Sequence, residues 1–248
     1  MSTEWRYRPA RDHGLTPRAR LTSGAREPGV GSMAATAAWR AAVRAYFRLA
    51  HPFAVVGRER LPEPPFVVVA NHASHLDALA VSAALPLSLT GRAYAMAAGD
   101  TFFTSLPAAA FAAYAINALP VWRQHTTEAD IAVWRDRLLV DRAVLILFPE
   151  GTRTRTGQMA RFRPGVGALV AGRPVPVVPC YLEGAFRAWP PTRRLPRPGR
   201  LTLTVGEPLR FDALPPDRAG ALEVARACEA AVRALAPGGG LPNDAPAA

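Results

Sequence analysis

Two short apolar runs, Phe66-Val67-Val68-Val69-Ala70 and Val144-Leu145-Ile146-Leu147-Phe148, constrain this chain more than any other feature. Each reads as a strand, and each stops abruptly at polar residues. The first runs into Asn71-His72-Ala73-Ser74-His75-Leu76-Asp77, the second into Pro149-Glu150-Gly151-Thr152-Arg153-Thr154. Strands that deliver polar side chains at their C-terminal ends are how an α/β sheet assembles a site. Further strands are expected at Ala118–Trp122, Val175–Leu182 and, by clean alternation, Leu201–Val205. Helical patterns over 76–84, 129–139, 165–171 and 218–235 separate them, with Thr126 or Thr127 as N-cap of the second. The fold class is therefore α/β, a mixed and mostly parallel sheet flanked by helices in a single domain.

Charge is unevenly spread. All thirty cations are arginine, and residues 150–200 hold ten of them against Glu150 and Glu183, a net +8 of the chain's +11. Such a face suits phosphate, coenzyme A or an anionic membrane surface. No aromatic-and-basic reading motif accompanies it, so nucleic acid is not expected as a partner. Cys180 and Cys228 form no CxxC pair, which implies neither a disulfide framework nor a zinc site and suits a reducing compartment.

Residues 1–32 mix six arginines with proline, glycine and three acids, without an apolar h-region. They read as a disordered basic lead and not as a secretory signal. Residues 33–52 follow as an amphipathic helix whose Arg40, Arg44 and Arg48 recur every four residues. That stripe fits a membrane-interface anchor or a helix docked on the domain. Residues 53–235 form the main domain and 236–248 a flexible tail. Thr101–Trp122 carries no formal charge, but Pro107, Asn117 and Pro120 interrupt it. It reads as a buried or membrane-dipping helix followed by a strand, so attachment is peripheral or monotopic.

His72 and Asp77 are five residues apart, about 140° around an ideal helix. They meet only if the chain turns at His72 and enters a helix near Ser74, for which Asn71 and Ser74 are suited. Asp77 then accepts from one imidazole nitrogen and leaves the other as a base, the orienting logic of a triad without its nucleophile. His72, His75 and Asp77 could alternatively be metal ligands, although no comparable cluster supplies a fourth. In the second cluster Gly151 permits a sharp turn, Thr152 can donate a hydrogen bond, and Arg153 can bind phosphate bidentately.

Together these residues resemble the glycerolipid acyltransferase family, whose best-known members acylate lysophosphatidic acid. The likeness runs from about residue 53 to 211 and follows the family's four blocks in order. Asn71–Asp77 resembles the first block, Phe148–Thr154 the third, and Val177-Val178-Pro179-Cys180 the fourth. Val205-Gly206-Glu207-Pro208-Leu209 matches a recurrent family ending. The second block departs: Ala97–Phe103 replaces a Lys-Glu-Leu segment, while Ala118–Arg123 keeps an apolar strand and its arginine.

The resemblance implies a glycerol-phosphate acyltransferase-type fold and His72 as general base on the acceptor hydroxyl, oriented by Asp77. It implies that Arg123, Glu150, Gly151, Thr152, Arg153 and Pro179 contact substrate, with Glu150 alternatively ordering its turn. The donor would be acyl-coenzyme A or acyl carrier protein, without metal or bound cofactor. The acceptor would be lysophosphatidic acid, glycerol-3-phosphate, another lysophospholipid or a lyso-aminolipid. The expected place of work is the cytoplasmic face of a membrane. A non-catalytic basic protein that binds lipid or nucleic acid is the competing reading.

Overall fold

A computed structural model describes residues 9–122 and 126–238 of the chain. Its strands are β1 (Phe53–Val56), β2 (Phe66–Ala70), β3 (Ala93–Ala98), β4 (Ala118–Val121), β5 (Val144–Leu147), β6 (Val177–Glu183) and β7 (Leu201–Val205). They form one seven-stranded sheet in the order β1-β7-β6-β2-β5-β3-β4. Neighbours run parallel except β6 and β7, which pair antiparallel, so the sheet is mixed and mostly parallel. The helices are α1 (Pro17–Leu21), α2 (Val30–Ala50), α3 (Asp77–Ala84), α4 (Gly99–Phe102) and α5 (Leu106–Tyr114). Then come α6 (Glu128–Leu139), α7 (Gly165–Val170), α8 (Ala185–Ala188) and α9 (Arg218–Ala234).

Every residue of β2 is buried, because β2 lies at the centre of the sheet with helices on both faces. Phe66, Val68 and Ala70 pack with α2 and α3, together with Ile146, Leu203 and Val205. Val67 and Val69 point the other way, toward α6, α7 and α9, with Trp134, Leu169 and Val224. The alternation of side chains along a strand thus splits one apolar run between two cores. Parallel β2 and β5 also end at the same edge, which brings the two polar clusters together.

Two expectations need correction. Residues 9–32 do not trail as a disordered lead. Buried Arg26 donates to Ala118 O (2.9 Å) and Asn117 Oδ1 (3.3 Å), while Arg137 donates to Gly24 O (3.0 Å) and Arg26 O (2.5 Å). Arg11 completes this strap on Asp141. Of the basic stripe on α2, Arg40 and Arg44 are not free for a membrane but dock the helix on the domain, the other reading offered, while Arg48 stays exposed. Arg40 donates to Ser82 O (2.7 Å) and Leu85 O (2.9 Å), and Arg44 to Ala83 O (3.0 Å) and Leu85 O (2.8 Å). These are the orphan carbonyls at the C-terminal end of α3, where cations are favoured. Burial pushes the Arg40 guanidinium down to about 10, still charged at neutral pH. The uncharged stretch 101–122 folds as expected, a helix and then a strand: after the end of α4 it forms the nine-residue α5 and then β4. No described helix is long and apolar enough to cross a membrane.

Candidate active site

The site lies at the C-terminal ends of β2 and β5. Beyond Ala70 the chain leaves the sheet, and Asn71 holds the departure point. Its side chain accepts from Leu182 N (2.7 Å) and donates to Leu182 O (3.2 Å), in place of a further backbone rung to β6. The segment 72–76 then turns back on Asp77, the first residue of α3. One oxygen of Asp77 accepts from Ala73 N (2.6 Å), Ser74 N (2.7 Å) and His72 Nδ1 (2.8 Å). Asp77 is fully buried, whereas the His72 side chain keeps 22% of its surface exposed. A carboxylate at Nδ1 fixes the tautomer and leaves Nε2, on the opposite side of the ring, to act as base. The imidazole also stacks on Phe148, with ring centroids 4.4 Å apart and planes 22° apart.

The turn after β5 is joined to this loop through backbone. Glu150 is buried, and its two oxygens accept from His72 N (2.6 Å) and Ala160 N (2.8 Å). Burial pushes its carboxyl above the ordinary glutamate range, while the two N–H donors and His72 pull it back. Thr154 N donates to His72 O (2.9 Å), a second tie between the clusters. Gly151 sits at φ 77° against Arg163, where an added Cβ would lie 2.9 Å from the guanidinium. Thr152 is exposed at the turn. Half-buried Arg153 puts Nη1 2.5 Å from His75 Nδ1, and desolvation lowers both groups' pKa values.

His72, Asp77, Glu150, Gly151, Thr152 and Arg153 therefore gather at one edge, as the sequence suggests. Of the two roles expected for Glu150, its bonds to backbone donors fit ordering the turn; one expectation is revised, since Pro179 does not reach the open site. Pro179 is buried in β6 opposite Val69, two residues short of Tyr181. Arg123 lies outside the described residues. His75 turns from the His72–Asp77 pair toward Trp189 (ring centroids 4.9 Å) and Arg153. Among the described residues no three His, Cys, Asp or Glu side chains are grouped to hold a metal ion.

Sequence reading missed three contributors. Phe148 stacks on the base. Trp189 O accepts from Ser74 Oγ (2.7 Å) and His75 N (3.2 Å), which anchors the His72 loop to a segment 115 residues away. Tyr181 lines a cleft together with Asn71 and Ala73, the chain neighbours of His72, and burial plus Glu183 and Glu150 raise its pKa. Only the adjacency of Phe148 to the Glu150 turn carried any signal; the other two contacts depend on strand order.

This constellation, a buried carboxylate–imidazole pair beside an arginine-bearing turn on an α/β sheet, has known relatives. The family model described as Acyltransferase matches residues 52–183. The chain belongs to the acyltransferase family. It is 30% identical over 164 residues to 1-acyl-sn-glycerol-3-phosphate acyltransferase alpha of Bos taurus, covering 65% of this chain and 55% of that protein. It is also 30% identical over 187 residues to a 1-acyl-sn-glycerol-3-phosphate acyltransferase of Chlamydomonas reinhardtii, covering 73% and 51%. The chain thus spans about half the length of these relatives. The solved 1-acyl-sn-glycerophosphate (LPA) acyltransferase PlsC from Thermotoga maritima shares the fold, with a TM-score of 0.58 at 22% identity over 79% of this chain and 78% of that one.

Proposed function

We propose that this chain transfers a fatty acyl group from a thioester, acyl-coenzyme A or acyl carrier protein, to the free hydroxyl of lysophosphatidic acid, giving phosphatidic acid. The observation that carries the reading is the 2.8 Å contact between His72 Nδ1 and buried Asp77, one loop from the Glu150–Arg153 turn. His72 Nε2 takes the hydroxyl proton as the oxygen attacks the thioester carbonyl carbon. The tetrahedral oxyanion collapses, the C–S bond breaks, and the imidazolium returns its proton to the departing sulfur. Asp77 stabilises the imidazolium without taking a proton. Arg153 binds the acceptor phosphate, assisted by Gly151, Thr152 and Arg123. The thioester supplies the activation, so the reading needs no metal or bound cofactor.

The relatives named above are 1-acyl-sn-glycerol-3-phosphate acyltransferases, which supports the acceptor. Attachment is peripheral or monotopic at the cytoplasmic face of a membrane. Its support is a group of exposed apolar side chains, Phe102 and, on α5, Leu106, Phe111 and Tyr114.

The test is an acyl-transfer assay with labelled acyl-coenzyme A, and then acyl carrier protein, as donor and, in parallel, lysophosphatidic acid, glycerol-3-phosphate and a neutral lysolipid. Phosphatidic acid formed by the wild type and lost in His72→Ala is expected, since a general base contributes about 10²–10⁴ in rate. Transfer to another acceptor alone would move the substrate. No turnover with either donor would sink the reading. Arg153→Ala is expected to raise KM for phosphate-bearing acceptors and leave the neutral lysolipid as it was.

A further inference from the structure

The turn that carries the base also holds the arginine. Arg153 lies 78 residues further along the chain than His75, in the loop after β5, yet its Nη1 donates to His75 Nδ1 (2.5 Å) and stands 3.0 Å from Nε2. His75 is itself clamped. Its N–H donates to Trp189 O (3.2 Å), the two rings lie 4.9 Å apart at 41°, and Trp189 Nε1 donates to Arg193 O (3.1 Å). The preceding residue is fixed as well, since Ser74 Oγ donates to the same Trp189 O and Ser74 N to Asp77.

The chemical nature of this partner matters. Among the described residues Arg153 pairs with no carboxylate, and its Nε and Nη2 donate to none of them. A carboxylate in the place of His75 would hold the side chain and also cancel its charge. A neutral imidazole offers a lone pair without a charge, so it orients the guanidinium and leaves the full positive charge for an anion. It occupies Nη1 and leaves the Nε–Nη2 edge, a two-donor fork of the shape that phosphate accepts. Without such a partner, a half-buried arginine would lose rotamer freedom at every binding event.

We propose that His75 is a positioning residue for the phosphate subsite: as a neutral acceptor it latches Arg153 so that the Nε–Nη2 fork meets the acceptor's phosphate at a set spacing from His72. The assignment rests on the proposed phosphate-binding role of Arg153 and deepens it. His72 and His75 ride on one turn closed by Asp77, so the distance from base to phosphate receptor is set within that turn. Desolvation lowers the His75 pKa, Arg153 and His72 lower it further, and Asp77 opposes them. The Trp189 segment presents the imidazole with a ring and a carbonyl. Since only the neutral ring can accept, the latch is closed at neutral pH. It opens as pH falls through the depressed value, when Nδ1 gains a proton and two cations face each other.

The probe is a short-chain lysophosphatidic acid analogue lacking the reactive hydroxyl, titrated calorimetrically against the full-length protein so that binding is read without turnover. Wild type, His75→Leu, His75→Asn, Arg153→Ala and the double variant His75→Leu/Arg153→Ala are compared after circular dichroism confirms folding. Kd is expected to rise about fivefold or more in His75→Leu. It should return to within about twofold of wild type in His75→Asn, whose amide oxygen takes the place of Nδ1 and does not titrate. The double variant should match Arg153→Ala within about twofold, because a latch with nothing to hold adds no loss. From about pH 8 to about pH 5 the wild type should weaken relative to His75→Asn; the probe's own phosphate titration is common to both and cancels in the ratio. Losses that multiply in the double variant would overturn the proposal. So would a wild type that tightens relative to His75→Asn in acid, because the imidazolium would then touch the phosphate itself. Equal Kd in wild type and either His75→Leu or Arg153→Ala, or no binding of the probe by any of the proteins, would also overturn it. Acyl transfer to lysophosphatidic acid with probe affinity indifferent to His75 would leave the reaction standing and remove the latch. Affinity that follows His75 in a protein inert toward every acceptor would uphold the latch while the proposed reaction fell.

Discussion

Asp77 has two jobs that mutation can separate. Its one bonded oxygen closes the 72–76 turn on Ala73 N and Ser74 N and orients His72 Nδ1, all at 2.6–2.8 Å and with no solvent exposure. Asp77→Ala strands two buried backbone donors, each at about 1–3 kcal/mol, so a loss of roughly 2–6 kcal/mol is expected. His72→Ala removes a partly exposed ring and its stacking on Phe148, and about 1 kcal/mol is expected. In a domain of this size those costs correspond to about 4–24 °C and 2–4 °C in Tm. Asp77→Asn keeps an oxygen for the two backbone donors but buries an amide where Oδ1 has no hydrogen-bond partner, so its stability should fall between Asp77→Ala and the wild type. It presents an uncharged acceptor to the imidazole, and turnover is expected to fall by about 10⁴. Urea unfolding of the three variants beside the transfer assay reads both quantities. If Asp77→Ala unfolds within 0.5 kcal/mol of wild type (about the spread of ordinary surface substitutions), or His72→Ala costs more than it does, Asp77 is not the anchor of the turn.

Other sites give sharp readouts. Arg40→Ala abandons carbonyls of Ser82, Leu85 and Pro86 at the end of α3 and should cost about 3 kcal/mol in urea unfolding; a loss under about 1 kcal/mol would mean water replaces it. Gly167 lets α7 touch α9, since an added Cβ would sit 2.3 Å from Ala221 Cα. Gly167→Ala should therefore cost about 3 kcal/mol, and a neutral result would show that the helices separate freely. Burial pushes the Cys180 and Cys228 thiols up to about 12, so a disulfide reagent at mildly alkaline pH should label neither until the protein unfolds. Because the folded values lie above the unfolded one, the protonated thiols stabilise the fold fully below about pH 8.5, and this contribution is lost as pH rises toward 12. Rapid native labelling would show that these strands and helices open.

The central sheet was legible because its strands carry their own signal. The uninterrupted run 66–70 and the alternating 201–205 match β2 and β7 at both ends. The Asn71–Asp77 and Glu150–Arg153 clusters were legible for the same reason, since each begins where an apolar run stops. Strand β3, Ala93–Ala98, escaped notice because four of its six residues are alanine, which favours neither strand nor an apolar face. Its strand state comes from pairing with β5 and β4.

By itself, then, the sequence determined where the chemistry-bearing side chains lie along the chain and that an α/β sheet would present them. Tertiary structure decided what each one faces. Arg40 and Arg44 look like a surface stripe until α3 ends beside them, and Arg26 looks like part of a loose lead until Ala118 O meets it. Glu150 passes for a substrate ligand until His72 N and Ala160 N take its two oxygens. A local pattern encodes which face of an element is apolar, because that depends on spacing within the element. The partner of a charged side chain depends on which strands become neighbours, and that is settled only when distant segments pack.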